Sequence, residues 1–469
     1  MTAPTAAAAG PRPARRAIDA LSLTVDESTL AAAGAGDPDW LLADRRAAFD
    51  AWALLPAESN VLYTPYIDLR GARLERATVV AGSRIPAVSD AGVQVLPDDI
   101  AAVLELTDGV VTATVLSAQA QSAGITLTDL RSLLGSDPER VRALLETVPH
   151  LPATDKFAQQ TRALWSQGVV LDVPAGVQLD RPIVIRWVTG AAQSAVLTRT
   201  LVHLGDGARV AIVEELVGAV PALPAPDATS GQSFFAGTTE VSLGRDADLT
   251  VASLQELPDH LIAIQHRVAE IGEGAALHWA LAQLGGRLVR GRVDNRLAGD
   301  RSSVEQVEIV FGNGEQLFDL TSYTTHVGRD TTGNLLSKGA LLDGAKTYLK
   351  GLITIEKSAI GTDSFLGEFG MNLSKAARSV AIPSLEIDQP DCRRAQHASS
   401  VGPIDEAQLF YLESRGIPPD DARKFIVLGF LEPVVARVPL ASAQDRLREL
   451  LEAKWAAGVA TGGEVGAAA

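Results

Sequence analysis

The pattern of apolar and polar positions divides the chain into helical flanks around a long β-rich middle. After Asp37-Pro38, an acceptor followed by proline that favours a helix start, Leu41, Leu42, Ala48, Phe49, Trp52 and Leu55 follow at roughly helical spacing until Pro56. A second helix is predicted from Asp137-Pro138, carrying Val141, Leu144 and Leu145. A third follows Thr154, with Phe157, Leu164 and Trp165 on one side and Gly168 at its end. From about Val169 the spacing changes to short runs rich in Val, Ile, Leu and Thr: 169–173, 183–187, 195–203, 208–213, 239–243, 249–254, 261–271, 275–281, 304–311 and 316–324. Glycine beside a small polar or acidic residue punctuates them, as in Gly205-Asp206-Gly207, Gly272-Glu273-Gly274 and Gly312-Asn313-Gly314. Successive signals stand 39, 28, 27, 13, 16, 16 and 17 residues apart, several of them close to a half or full coil of a solenoid. The longest gap holds a Pro/Ala/Gly-rich stretch, Val217–Gly231, expected to be a loop. Helices return where Asp405 precedes Gln408 by three residues, a capping-box-like start, and Gly416 sits where a C′ glycine belongs. Asp420–Phe430 predicts a second C-terminal helix, and Leu447, Leu450, Leu451 and Trp455 mark a third.

No helical pattern interrupts the middle of the chain, which disfavours alternating βαβ architecture. Periodicity alone leaves a sandwich or propeller open beside a β-helix. The expected organisation is a disordered start at 1–17, a helical and mixed unit at 18–168 and a β core at 169–390. A helical C-terminal unit at 391–456 and a disordered tail at 457–469 complete it.

Bulk properties narrow the function. The 469 residues carry a net charge of −16, and no long Lys/Arg run supplies the cationic footprint that nucleic acid or an anionic membrane requires. No run of about 18 uncharged apolar residues predicts a membrane span. Arg15-Arg16 could mimic the basic part of an export signal. The stretch after it, Ile18-Asp19-Ala20-Leu21-Ser22, is too polar for the apolar core such a signal needs, so a cytoplasmic location is expected. Cys392 is the single cysteine. The chain therefore cannot form an internal disulfide, nor by itself hold a cluster with four thiolates. The P-loop pattern GxxxxGK[ST], the nucleophile elbow GxSxG and HExxH are all missing, so no bound nucleotide and no hydrolase chemistry is expected of this chain.

Three stretches carry a family resemblance. Trp165–Val177 with Arg181-Pro182-Ile183 is the first, and Lys338–Thr347 with Gly351 the second. The third and most specific runs from Leu385-Glu386-Ile387 through Asp391 to His397-Ala398-Ser399-Ser400-Val401-Gly402. It continues through Ile404-Asp405-Glu406, Leu409-Phe410-Tyr411-Leu412, Ser414-Arg415-Gly416-Ile417 and Ala422-Arg423. Together they resemble the SufB/SufD family of iron–sulfur cluster assembly proteins, and the region around Trp40 and Tyr63-Thr64 is more similar to its SufD side. The resemblance implies a right-handed parallel β-helix flanked by N- and C-terminal helical segments. It also implies pairing with a SufB-like subunit, a homodimer when isolated, and docking of a SufC-type ATPase. On that resemblance Asp405, Phe410, Tyr411, Arg415, Gly416, Phe425 and Phe430 would form the docking surface. A transient iron–sulfur cluster would be shared with the partner, and His397 occupies the place of a histidine associated with cluster formation. Relatives often carry cysteine two residues before it, where this chain has Ala395.

Imidazole is an accepted alternative to thiolate at cluster iron, so His397 is a candidate ligand in a polar, irregular stretch expected after Pro390. Cys392 is a second candidate, because Arg393 and Arg394 would favour its thiolate if they lay near the sulfur. The bland alternatives are a surface histidine and a spectator thiol. His260 and His266 are six residues apart with no accompanying cysteine, which is not zinc-like spacing. The leading expectation is a non-catalytic scaffold subunit. Its rivals are a β-helix carbohydrate-active enzyme and a structural interaction module with no role toward metal.

Overall fold

The computed structural model describes residues 21–80, 96–219 and 231–460. Residues 1–17, 461–469 and most of the expected loop at 217–231 lie outside them. The chain begins with α1 (Glu27–Ala33) and α2 (Asp39–Leu54), then a short β1 (Thr78–Val79), the hairpin β2 (Ala102–Thr107) and β3 (Val110–Leu116), and α3 (Ala118–Ser122). β4 (Thr126–Asp129), α4 (Leu130–Ser136), α5 (Pro138–Thr147) and α6 (Lys156–Leu164) complete this part. Asp137 and Asp155 cap α5 and α6 by accepting hydrogen bonds from first-turn amides, as the acceptor-before-helix pattern requires.

The core is a parallel β-helix of two facing sheets. Odd strands build one sheet: β5 (Gln167–Val173), β7 (Ser194–Leu204), β9 (Phe234–Leu243), β11 (Ile262–Ile271), β13 (Leu288–Leu297), β15 (Leu317–His326), β17 (Lys346–Ile355) and β19 (Arg378–Ile387). Even strands build the other: β6 (Ile183–Thr189), β8 (Arg209–Gly218), β10 (Asp248–Glu256), β12 (Ala276–Gln283), β14 (Ser303–Gly312), β16 (Thr332–Leu341), β18 (Asp363–Asn372) and β20 (Arg394–Gly402). Each strand lies parallel and in register on the strand one coil earlier: Leu288 pairs with Leu317, and Leu317 with Lys346. Alternate residues therefore form columns along the axis, and one set of columns packs inside. Val169, Val202, Val241, Ala269, Val293 and Leu341 belong to that inner cluster. Successive corners of one edge place Gly207, Asp246, Gly274, Arg301, Asp330 and Gly361 at positive φ. Asp206 and Asp300 tie adjacent corners by accepting the Arg245 and Arg329 amides, each at 2.8 Å.

Both outer faces are covered in the middle of the solenoid. The N-terminal segment packs Leu30, Phe49, Leu69 and Leu74 against Leu197, Phe234 and Ile264 of the odd sheet. Buried ion pairs fasten it there: Arg290 spans Glu58 and Asp319, both at 2.6 Å, and Arg292 reaches Asp155 at 2.9 Å. The even sheet is covered by α8 (Pro419–Val435) and α9 (Ala441–Ala460), which follow α7 (Glu406–Ser414). Val427, Leu431, Val434, Leu447 and Trp455 pack on Ala280, Val307, Phe311 and Ala340. Among the described residues no helix is long and apolar enough to cross a membrane.

Two expectations need correction. The helix read as Asp420–Phe430 runs on through Pro433 to Val435, because its buried face continues along the sheet. The irregular stretch expected around His397 is strand β20, and β13 and β16 to β18 also escape the apolar alternation. Inward positions there are held by Gly291, Asn295, Gly333, Ser337, Gly351, Glu368, His397 and Ser399, which dilute the signal although the backbone pairing is complete.

Close coil stacking generates a stability test. A Cβ on Gly328 would lie 2.2 Å from the Gly299 carbonyl oxygen of the preceding coil, whereas one on Gly402 would meet nothing within 4 Å. Gly328→Ala is expected to cost about 1–3 kcal/mol by forcing coils apart, and Gly402→Ala about 0.5 kcal/mol or less. Parallel denaturant titrations of the two variants measure the contrast.

Candidate functional site

The two ends of the solenoid differ. At the start, β3 and β4 pair antiparallel with β2 and β5 and close the stack. At the other end, among the described residues, β19 pairs only with β17 and β20 only with β18, so the last coil presents free backbone edges. Its inward-pointing residues have no coil above them, and Ile387 and Val401 are 46% and 41% exposed.

His397 lies on this terminal coil. It pairs in register with Leu366, which pairs with Leu335, which pairs with Gln306. Those three are buried inside the solenoid, so His397 continues an interior column but is itself exposed. A side chain that would be sealed in any earlier coil is here available from outside. Ser399 shares its face and sits over Glu368. Glu368 is buried beneath the terminal coil and accepts the Ile382 amide at 2.8 Å. Burial pushes its carboxyl up to about 8, so it is largely uncharged at neutral pH.

Cys392 is partly buried at the corner between β19 and β20, against an apolar cluster of Leu335, Ile353, Leu366 and Ala395. Arg393 pairs with Asp330, and Arg394 with Asp363 at 2.6 Å. Both guanidiniums flanking the thiol are thus engaged by carboxylates. His397 and Cys392 therefore border one end of one coil, the histidine more openly than the thiol. Among the described residues no three His, Cys, Asp or Glu side chains converge as a self-sufficient metal site. One imidazole and one thiol fall short of the usual four-ligand set, so this chain's donors fit a shared cluster only.

Immediately after β20 the chain enters α7. Asp405 caps it, accepting the Ala407 and Gln408 amides at 2.8 and 3.4 Å, and Gly416 ends it at φ +87°. Phe410, Tyr411 and Phe425 are exposed, and the Arg415 guanidinium lies 5.2 Å from the Tyr411 ring centre. Phe430 is the exception: it turns toward the sheet, partly buried, with Lys338 4.6 Å from its ring centre. Phe410, Tyr411 and Phe425 thus leave an uncovered apolar patch on the helices that follow the open coil.

Three of the other histidines face carboxylates. His266 bonds Asp294 at 2.7 Å and His203 bonds Asp172 at 2.9 Å, while His278 points outward between Asp248 and Glu305. Sequence reasoning missed Glu368, because a single carboxylate in a strand gives no sign that it faces inward until the register is known.

This is a parallel β-helix with one capped end, one open end bearing a histidine, and an uncovered helical surface beside it. Residues 187–430 match the family model described as "SUF system FeS cluster assembly, SufBD core domain", and the chain belongs to that family. It is 28% identical to the iron–sulfur cluster assembly protein SufD of Bacillus subtilis over 72% of this chain and 76% of that one. It is 30% identical to an iron–sulfur cluster assembly SufBD family protein of Mycobacterium tuberculosis over 64% and 74% of the two chains. A SufBD family protein of Staphylococcus saprophyticus is 26% identical, over 70% and 68%. The chain is thus an iron–sulfur cluster assembly protein of the SufBD family, SufD-like.

The second coil below the open end carries its own pH signature. His326 is buried, bonded to Thr331 Oγ1 at 2.8 Å and Ser364 Oγ at 3.0 Å, and burial lowers it to about 4. A folded value below the unfolded one favours the neutral ring. Stability is therefore fully present above about pH 6.5 and falls as the pH drops through about 4, by up to about 3 kcal/mol. Thermal melts across that range are expected to show this decline in the wild type and a flatter profile in His326→Gln.

Proposed function

We propose that the chain is a non-catalytic scaffold subunit that pairs with a SufB-like subunit and carries a SufC-type ATPase in the cytoplasm. The observation that carries this reading is the uncovered terminal coil, with His397 continuing an interior column into an exposed position. Free strand edges on β19 and β20 suit another chain that continues the sheets. When that partner is lacking, a second copy of this chain can take the same edge as a homodimer.

In this arrangement iron and sulfide are cargo. His397 contributes one neutral imidazole, Cys392 stands near as a secondary donor, and partner thiolates complete the ligand set. Phe410, Tyr411 and Phe425 supply the apolar contacts to the ATPase. Asp405 and Gly416 fix the ends of the helix that presents the first two, Arg415 stacks on Tyr411, and Phe430 anchors α8. ATP-driven movement of the ATPase would be passed from α7 to the adjoining β20, loosening the shared edge so that the nascent cluster can be loaded or released.

Two experiments test separate halves of this reading. Anaerobic co-expression with a SufB-like protein and a P-loop ATPase is expected to yield a stable complex carrying iron and sulfide. His397→Ala should leave the complex intact and lower its cluster content several-fold; an unchanged cluster content would remove the histidine from the reading. Phe410→Ser combined with Phe425→Ser should weaken ATPase capture by about 2 kcal/mol or more while the β-helix partner is retained, read by titration calorimetry.

A further inference from the structure

Inside the solenoid, a small cavity with polar side chains around it lies beside the inward-facing Gly237. Thr198, Gly237, Gln265 and Gly291 follow one another in register along an inward column. A Cβ on Gly237 would come 3.2 Å from Thr198 Oγ1, so the threonine hydroxyl already leans into the space beside this glycine. The cavity so formed is bordered by Thr200, Glu214, Gln265 and Arg267, with Trp187 and Phe235 closing its apolar side. It leaves about 10 Å³ for the centre of a water-sized molecule.

Two donors on neighbouring inward positions of β11 border this space without a partner among the described residues: Gln265 Nε2 and Arg267 Nε. Both residues are 3% exposed. Their other polar atoms are engaged: Arg267 donates to Glu214 at 2.6 Å, to Ser253 at 2.9 Å and to Gln265 Oε1 at 3.1 Å. An unpaired buried donor costs about 1–3 kcal/mol, so two beside one small cavity call for an acceptor there.

We propose that this cavity is a binding site for a single internal water molecule, held by Gln265 and Arg267 and able to donate in turn to the hydroxyls and carboxylate around it. The available space accommodates one water and excludes larger solutes. A halide would add a buried charge beside Glu214, whose partner Arg267 is already neutralised, and a metal cation would face two donors. Water alone both accepts from the pair and donates its two protons to oxygens among Thr198, Thr200 and Glu214. A second cavity of similar size lies next to it; Thr200, Glu214, Thr239 and Arg267 border both, but the surface this one exposes is apolar, with Ile185, Val202, Ile212 and Val251 on its other sides. That neighbour is expected to stay dry and serves as an internal control.

The water has a structural consequence. It joins a buried run in which Gln265 accepts from Gln283 at 3.2 Å and Gln283 donates to Glu308 at 3.2 Å. Burial pushes Glu308 up to about 7. The hydrogen-bonded run from Glu214 to Glu308 thereby crosses successive coils and includes one molecule that exchanges with solvent.

Oxygen-17 relaxation dispersion on the full-length chain, with a high-resolution crystal structure of the same chain, tests the site. Expected are a long-lived internal water and a density peak within hydrogen-bond reach of Gln265 Nε2 and Arg267 Nε, with none in the apolar neighbour. Gly237→Ala, which needs only a small shift of the Phe235 ring, should fill the space and remove one long-lived water. Gln265→Met should do the same by removing a donor. Density lacking in the wild type would overturn the proposal whether or not the variants fold. So would bromide density after a soak, or an unchanged water count in either folded variant.

Discussion

In-register stacking of coils is the constraint on which the remaining features rest. A coil of about thirty residues cannot enclose its own apolar interior; the coils above and below must seal it. This makes the middle of the solenoid insensitive to the identity of individual residues, provided each inward column is filled. The ends bear a different requirement. At the start, antiparallel strands β3 and β4 cap the stack, while among the described residues the last coil meets no equivalent. The exposed His397, the uncovered Ile387 and Val401, and the free edges of β19 and β20 all follow from that one omission.

The same stacking explains why polar groups are tolerated inside. Glu214, Arg267, Gln265, Gln283 and Glu308 bond one another across coils, so most of their desolvation is offset by partners one rung away. Glu368 accepts a hydrogen bond from the Ile382 backbone amide, and burial holds its carboxyl largely uncharged.

Family membership and the SufD-like resemblance were legible because the stretch Leu385–Arg423 combines a histidine, small residues and a helix start in a fixed order. The helical flanks were legible through caps at Asp137 and Asp405 and through apolar spacing after Pro38. β13 and the strands after β15 were not, because their inward faces carry Gly, Asn, Ser, Glu and His in place of Val and Leu. The single cysteine limited this chain to part of a ligand set, a limit that the structure leaves in place with one thiol and one imidazole at the terminal coil.

Sequence alone therefore determined the helical flanks, the family, and the limit of one thiol that this chain can offer. Only the tertiary structure decided that His397 is presented rather than sealed, that Phe430 packs inward while Phe410, Tyr411 and Phe425 do not, and that Glu368 is buried. The physical reason is that exposure in a solenoid depends on whether another coil follows. Local residue pattern is the same for a strand in the middle of the stack and for the strand that ends it.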